Sequence, residues 1–294
     1  MSQDSIRDGD SQSRTVPLVP IPPHPPLRRY YREVDARQDF LNELFNRTAY
    51  QYRNIEKATG FGSGIWYRRK ALLEAGLLPG MHVLDVACGP ALVAQCARDI
   101  VGPAGSVIGL DPSIGMLREA RKSSCDKLVR GVGEHLPFPD ATFDVVWAIE
   151  SVCYAWDKAD FTKEAFRVLK PGGKLVVADF FSTPVQPGSP EDMLMKKWTD
   201  SWAIKSYATV NEFQNALSVV GFQNIRDQDI TQHVTPSIRR LYLSFFPGLI
   251  TTTVAEWIGA RNSIQTKNTW STYYQYQAFK KHLWQYHIFS AQKD

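Results

Sequence analysis

Apolar runs alternate with amphipathic stretches through the middle of the chain. The runs His82–Ala87, Ser106–Leu110, Phe143–Ile149 and Lys174–Phe180 read as buried strands, and the stretches 91–101, 114–122 and 158–169 read as helices. Strand, helix and strand in repetition predict a parallel sheet with helices on both faces. Asp140-Ala141-Thr142 and Lys170-Pro171-Gly172-Gly173 are the turns that launch the later strands. Upstream, Phe40, Leu41, Leu44 and Phe45 make a helical stripe, and a second helix is expected over Gly64–Ala75, before the turn Leu78-Pro79-Gly80. Downstream, Thr209-Val210-Asn211-Glu212 has the pattern of a capping box and Gly221 ends that helix. Phe222–Thr231 reads as a strand and 232–282 as mainly helical. Tyr286–Ala291 reads as a last strand, at an edge or inserted. The fold class is therefore α/β: a doubly wound, Rossmann-like, mostly parallel seven-stranded sheet with helical additions.

Composition narrows the classes without choosing among them. The 294 residues are 44% hydrophobic and 22% charged, as in a globular protein, which excludes collagen-like and coiled-coil structure. The net charge is 34 − 30 = +4, too small to argue for nucleic acid as a partner. Residues 1–28 carry prolines at 17, 20, 22, 23, 25 and 26, a density that favours an extended disordered tail, whether linker, surface strap or SH3-type ligand. The N-terminus has Asp4, Asp8 and Asp10 and no apolar run, so it does not read as a secretory signal. Cys88, Cys96, Cys125 and Cys153 have neither disulfide nor zinc-ligand spacing, so reduced thiols, a cytoplasmic protein and no metal are expected. Leu241–Ala260 holds one charge, Glu256, but Pro247-Gly248 and Thr251 to Thr253 interrupt it. An amphipathic or buried helix is expected there rather than a membrane span. Residues 232–294 contain 12 of the 35 aromatic side chains and seven Lys or Arg against two Asp or Glu.

The chemistry concentrates where the first strand turns into a helix. Val83-Leu84-Asp85-Val86-Ala87-Cys88-Gly89-Pro90-Ala91 is an apolar strand, a small-residue turn and a helix start, and Asp111 closes the next strand. A ligand reaches the backbone at such strand ends, and a carboxylate on the second strand accepts from two ribose hydroxyls. A dinucleotide needs G-x-G-x-x-G, and those places hold Ala87, Gly89 and Leu92. Leu92 is too large for the third. S-adenosylmethionine carries no phosphate and asks only for small residues.

Asp85-Val86-Ala87-Cys88-Gly89-Pro90-Ala91 resembles the D-x-G-x-G-x-G motif I of class I S-adenosylmethionine-dependent methyltransferases, with Ala at two of the three glycine places. Gly109-Leu110-Asp111-Pro112-Ser113 with Met116-Leu117 resembles motif II. Glu134-His135-Leu136-Pro137-Phe138 followed by Phe143-Asp144-Val145-Val146 is similar to the E-x-LPF…FDVV segment, and Arg167-Val168-Leu169-Lys170-Pro171-Gly172-Gly173 to the RVLKPGG turn. The resemblance implies S-adenosyl-L-methionine as cofactor. It also implies a cofactor set of Asp85, Ala87, Cys88, Gly89, Asp111, Pro112, Met116, Gly133, Glu134, Glu150 and Tyr50. Asp111 would take the ribose and the apolar residues after it would cover adenine. Where the family often has an Asp for the adenine amino group, this chain has Val132.

The resemblance divides over the methyl acceptor. Leu44-Phe45-Asn46-Arg47-Thr48-Ala49-Tyr50 through Trp66-Tyr67-Arg68-Arg69 resembles ubiquinone and menaquinone methyltransferases, whose Arg-Asn pair after strand four is missing here. Trp147-Ala148-Ile149-Glu150-Ser151-Val152-Cys153-Tyr154 is closer to the tocopherol, sterol and sugar enzymes, with Tyr154 standing where their histidine would be and Asp179 matching their strand-five Asp. The Asn/Asp-Pro-Pro-Tyr/Phe/Trp segment of amino-methylating DNA enzymes does not occur. Methyl transfer to oxygen or an activated carbon needs a base or hydrogen-bond acceptor beside the methyl, and Tyr154, Asp179, Glu150 and His135 are the candidates.

The implied organisation is a tail (1–28), an N-terminal helical cap (29–80), the cofactor-binding core (81–231), an aromatic helical lid (232–283) and a final strand (284–294). Trp198, Trp202, Tyr207, Tyr242, Phe245, Phe246, Trp257 and Trp270 would then wall an apolar acceptor pocket, or simply pack lid on core. The expected activity is O- or C-methylation of a hydrophobic small molecule. The alternatives are a non-methylating cofactor-binding relative, regulatory or cyclising, and a quinone-biosynthesis C-methyltransferase. Arg239, Arg240, Lys280 and Lys281 leave peripheral contact with an anionic membrane open, and the oligomeric state is open too.

Overall fold

The computed structural model describes residues 36–60, 69, 72–73, 75–123, 127–257 and 263–294. The proline-rich tail, most of the helix expected over Gly64–Ala75, and Cys125 lie outside them. In chain order the elements are α1 (Ala36–Gly60), β1 (His82–Val86), α2 (Leu92–Val101), β2 (Ser106–Asp111), α3 (Ile114–Arg121), β3 (Leu128–Arg130) and β4 (Phe143–Ile149). A 3-10 turn (Val152–Tyr154) leads to α4 (Lys158–Val168), β5 (Leu169–Ser182), α5 (Pro190–Ser201) and α6 (Val210–Val220). Then come β6 (Gln223–Asp229), α7 (Thr231–Trp257), α8 (Ser263–Lys280) and β7 (Trp284–Gln292).

The seven strands form one sheet in the order β3-β2-β1-β4-β5-β7-β6. The first five in this order run parallel to one another, whereas β7 is antiparallel to both β5 and β6. Tyr286–Ala291 is thus an inserted strand, not an edge. The central strands β1, β4 and β5 are covered on both faces, so their sequences run apolar instead of alternating, whereas the edge strand β6 is polar and exposed. Leu84, Val86, Leu110, Val146 and Ala148 face Phe161, Ala165 and Val168 of α4 and Phe213 and Leu217 of α6. Val83, Val107, Val145 and Trp147 face Ala94, Ala97, Ile100 and Val101 of α2. Each large side chain buried there contributes about 1.5–3 kcal/mol.

Caps fix where helices begin. Thr209 and Glu212 make the expected capping box, and Gly221 closes α6 at φ 108°. Ser113 caps α3 by accepting from Met116 N, and Asp157 caps α4 by accepting from Ala159 N. Because β1, β2, β4 and β5 run parallel, their carboxyl ends lie at one edge of the sheet.

The late aromatics divide into two groups. Trp198 and Trp284 are fully buried, and with Tyr207 and Tyr286 they pack around Phe180 near the end of β5. On the α7–α8 hairpin, Tyr242 stacks on Tyr276 with centroids 4.1 Å apart, and Phe245 packs on Trp270 and Tyr273. Phe246 and Trp257 stand exposed. The eight aromatics expected around one pocket therefore serve a buried core, a helix–helix seam and the surface. Among the described residues no helix is long and apolar enough to cross a membrane.

Candidate active site

The loop after β1 has an unusual backbone. Ala87, Gly89 and Ala91 all adopt positive φ, at 55°, 52° and 60°. These are the three places where motif I carries glycine. Alanine there puts Cβ near its own carbonyl, at a cost of about 1–2 kcal/mol each. Nothing lies within 4 Å of where a Gly89 side chain would start. α2 begins at Ala91 without a side-chain cap, so its first amides are left to solvent or ligand. A small-residue loop with open space and a bare helix start suits a ligand that approaches the backbone.

Asp111 stands beside this loop, 6% exposed at the end of β2. Gly89 N donates to its Oδ2 at 2.9 Å and Ser113 N to its Oδ1 at 2.8 Å. Burial raises its pKa to about 6, against those two hydrogen bonds, which lower it. Each oxygen keeps a second lone pair for a hydroxyl donor. Asp85 is buried in β1, Cys88 and Met116 are buried nearby, and Pro112 lends its carbonyl to Arg130 Nε at 3.2 Å. Gly133 packs between Val86 and Phe161. Glu134 Oε1 accepts from Trp156 N at 2.6 Å, so this residue ties the loop after β3 to the start of α4. Tyr50 lies on α1 and is 63% exposed.

The acceptor-side candidates sit at the ends of β4 and β5. Asp179 is 2% exposed; its Oδ2 accepts from Cys153 N at 2.9 Å and its Oδ1 from Phe180 N at 2.8 Å. Burial lifts its pKa to about 7, the Glu150 charge adds to this, and Lys158 opposes it. Glu150 adopts a positive φ of 48° just past β4 and accepts from Tyr286 Oη at 3.1 Å. Tyr154 packs edge-on against Phe45 of α1 at 5.3 Å. Tyr207 is buried close to Tyr154, Asp179 and Glu150, and burial pushes its hydroxyl pKa well up. His135 is instead exposed on the turn after β3, close to Glu164. The structure thus gathers Glu150, Tyr154 and Asp179 and leaves His135 on a solvated loop.

Three residues escaped the sequence reading. Asn46 Oδ1 accepts from Ser113 Oγ at 2.8 Å and from Gly115 N at 2.6 Å, locking α1 onto α3. Arg37 Nη2 donates to the Tyr154 carbonyl at 2.8 Å. Lys158, at the start of α4, is buried toward Cys153 and Asp179, and burial lowers its pKa. A chain separation of 117 residues, as between Arg37 and Tyr154, leaves no local pattern to read.

Comparison with known proteins agrees with this geometry. Residues 84–177 match the family model described as a methyltransferase domain. The chain is 30% identical over 226 residues to 27-O-demethylrifamycin SV methyltransferase of Amycolatopsis mediterranei, covering 69% of this chain and 76% of that protein. The chain belongs to the S-adenosylmethionine-dependent methyltransferases. It is also 29% identical over 214 residues to the ubiquinone/menaquinone biosynthesis C-methyltransferase UbiE of Shewanella frigidimarina, covering 70% and 78%. Among solved structures, Haemonchus contortus phosphoethanolamine N-methyltransferase 2 in complex with S-adenosyl-L-methionine shares the fold. Its TM-score is 0.66 at 18% identity, over 89% of this chain and 61% of that one. The methyltransferase is thus an enzyme of the small-molecule branch of its family, with S-adenosylmethionine as cofactor.

Proposed function

We propose that this methyltransferase transfers a methyl group to an oxygen or carbon of a hydrophobic small molecule, with Asp179 as the base. The observation that carries the reading is a carboxyl 2% exposed at the end of β5 whose pKa burial lifts to about 7. A base poised near neutrality can take a proton from a phenol or enol and still ionise at working pH. Tyr154 and Glu150 flank it and orient the acceptor; Phe45, Trp156 and Tyr207 give the surroundings an apolar, aromatic character.

On the cofactor side, Asp111 takes the ribose hydroxyls, and the Ala87–Ala91 loop accommodates the amino-acid end. Met116 and the backbone near Gly133 hold adenine, with Asp85, Cys88, Pro112 and Glu134 shaping the walls. When bound, S-adenosylmethionine supplies an electrophilic sulfonium methyl. The protein's own part is alignment, exclusion of water and proton removal. The cap (29–80) and the lid (232–283) close over the two ligands, with α1 pinned through Asn46.

The test is S-adenosylhomocysteine release across phenols, enols, prenylated aromatics and amines, with the methylated atom located by NMR. Turnover confined to lipophilic phenols or enols supports the reading. Turnover confined to amines, or tight cofactor binding with no turnover, refutes it.

A further inference from the structure

Two stacked aromatic rings stand beside the acceptor-side residues. Trp198, on α5, is fully buried, and Tyr207, on the loop between α5 and α6, is 7% exposed. Their ring centroids lie 4.7 Å apart with 34° between the planes. The loop is fixed at both ends. At its start, Ala203 N and Ile204 N donate back to the carbonyls of Asp200 and Thr199. At its end, Ser182 N of β5 donates to the Ala208 carbonyl at 2.9 Å. Phe180, the residue after Asp179, packs against both rings. Tyr207 shares a cluster with Cys153 and Tyr154, and the Cys153 amide is a donor to Asp179.

Each ring carries a donor, and the described residues supply an acceptor to neither. Trp198 Nε1 is buried with no hydrogen-bond partner. The Tyr207 hydroxyl makes no hydrogen bond among the described residues, although Cys153, Tyr154, Asp179 and Glu150 all act on it. A buried tyrosine or tryptophan ordinarily finds a partner for its O–H or N–H, because leaving that bond unmade is costly. Burial, reinforced by the neighbouring acidic groups, pushes the Tyr207 hydroxyl well up, so it stays a donor at working pH. An O–H held protonated beside a carboxyl base is complementary to an oxygen that gains charge as the base takes a proton.

We infer that the Tyr207 hydroxyl donates a hydrogen bond to an oxygen of the methyl acceptor that is conjugated with the atom being methylated. The inference rests on the proposed methylation with Asp179 as base and deepens it by naming the acceptor's chemistry: an enolised 1,3-dicarbonyl, or a phenol with a second oxygen ortho to the first. Asp179 takes the proton as the acceptor's O–H bond breaks, and the charge left behind spreads over the two conjugated oxygens. Tyr207 holds the oxygen that does not attack, since a hydrogen bond on the attacking atom would occupy its lone pair. The attacking atom forms its bond to the methyl carbon while the C–S bonding pair passes to sulfur, giving S-adenosylhomocysteine. Trp198 is a positioning residue, whose stacking sets the plane of the Tyr207 ring.

The experiment titrates the full chain, saturated with S-adenosylhomocysteine, with 4-nitrocatechol, whose two oxygens are ortho, and with 4-nitrophenol, which has one. The absorbance of each bound probe across pH gives its ionisation constant. Wild type is expected to hold the catechol roughly tenfold more tightly, the worth of one hydrogen bond to a charged oxygen. Tyr207→Phe keeps the ring and its stacking. It should abolish the preference and make the bound catechol about tenfold harder to ionise, with S-adenosylhomocysteine affinity unchanged. Asp179 titrates within the scanned range and, with Cys153, Tyr154 and Glu150, acts on the hydroxyl, so both measurements are repeated in Asp179→Asn, where the Tyr207 effect should persist. Equal affinity of wild type for the two probes overturns the inference, as does the absence of binding by both. So does an ionisation constant unmoved by Tyr207→Phe, or an effect lost in Asp179→Asn, since the hydroxyl would then act only through that carboxyl. If Tyr207→Phe does not fold, the wild-type preference alone decides. A Tyr207 effect present in both backgrounds while no acceptor is turned over keeps the donor and strikes only the methylation reading.

Discussion

The backbone N–H of Gly89 donates to Asp111 Oδ2 at 2.9 Å, so the loop after β1 is tied to the end of β2 by a single carboxylate. Removing the carboxyl disturbs both halves of the cofactor cradle at once. Asp111→Ala is expected to weaken S-adenosylhomocysteine affinity at least severalfold, by about 1.5–3 kcal/mol for hydrogen bonds to a charged group. The pH dependence has a definite sign. Burial holds this carboxyl at about 6 in the free protein, and hydroxyl donors from the ligand favour its ionised form. Affinity should therefore fall as pH drops through about 6, and the fall should be absent in Asp111→Ala. Calorimetric titration across that range decides; a flat wild-type profile refutes the ribose role.

Ala87 shows the opposite kind of substitution. Its φ of 55° is left-handed, and the residue is only partly buried, so little packing is lost with its methyl. Ala87→Gly relieves about 1–2 kcal/mol of strain and returns part of it as unfolded-chain entropy. A net gain of about 0.5–1 kcal/mol is expected in the denaturant midpoint. An unchanged or lowered midpoint would show that the loop is not strained at this position.

The contrast between these two residues marks what the sequence discloses. Asp111 was legible because its role depends on spacing along one βαβ unit, 22 residues from Gly89. The strand periodicities of β1, β2, β4 and β5, and the capping box of α6, were legible for the same local reason. β3 was not, because Leu128–Arg130 is three residues long with no fully buried member and so no run to detect. Asn46, Arg37 and Lys158 were missed because their partners come from distant elements. The late aromatics gave a strong compositional signal but no face, since α7 and α8 pair with each other before either covers the core.

Arg167, from the RVLKPGG turn, clamps the Leu136-Pro137-Phe138 segment. Its guanidinium donates to the carbonyls of Leu136 and Phe138 at 2.9 and 2.8 Å, and pairs with Glu164 and Asp140. Lysine keeps the charge but loses the planar fork that reaches several acceptors together. Arg167→Lys is expected to cost about 1–3 kcal/mol, read as a lowered urea midpoint. The side chain is about a third exposed, so the ion pairs alone contribute little and the two carbonyl contacts carry most of the loss. A change within about 0.5 kcal/mol would show that the segment holds itself.

Gly115 lies under the cap. A Cβ there would come within 2.7 Å of Asn46 Cα, a backbone atom that cannot swing aside. Gly115→Ala should therefore lift α1 from α3, whereas Asn46→Ala removes only the acceptor for Ser113 Oγ and Gly115 N. Both should raise amide exchange across 36–50, with the larger effect in Gly115→Ala. If the helix closes the cofactor cradle, S-adenosylhomocysteine should also dissociate faster in both. Exchange unchanged from wild type in Gly115→Ala would show that the α1–α3 contact is not maintained in solution.

Asp179 carries the proposed chemistry, and its titration should appear in the rate. A base must be ionised to accept a proton, so kcat/KM should rise with pH through about 7 and level above it. Asp179→Asn should lose about 10²–10⁴ in kcat and the rise with it. The same shift makes the charged form a burden on the fold. A carboxyl raised in the folded state favours stability fully below its ordinary value of 3.8, and that contribution is lost as pH rises through about 7. Wild type should therefore lose stability across this window by a step that Asp179→Asn lacks. The two readouts separate the roles. If the stability step vanishes in the variant while the rate profile keeps its rise, Asp179 is a buried structural carboxyl and the base lies elsewhere, with Glu150, whose charge Asp179 feels, the next candidate. If rise and step vanish together while S-adenosylhomocysteine affinity holds, proton removal belongs to Asp179.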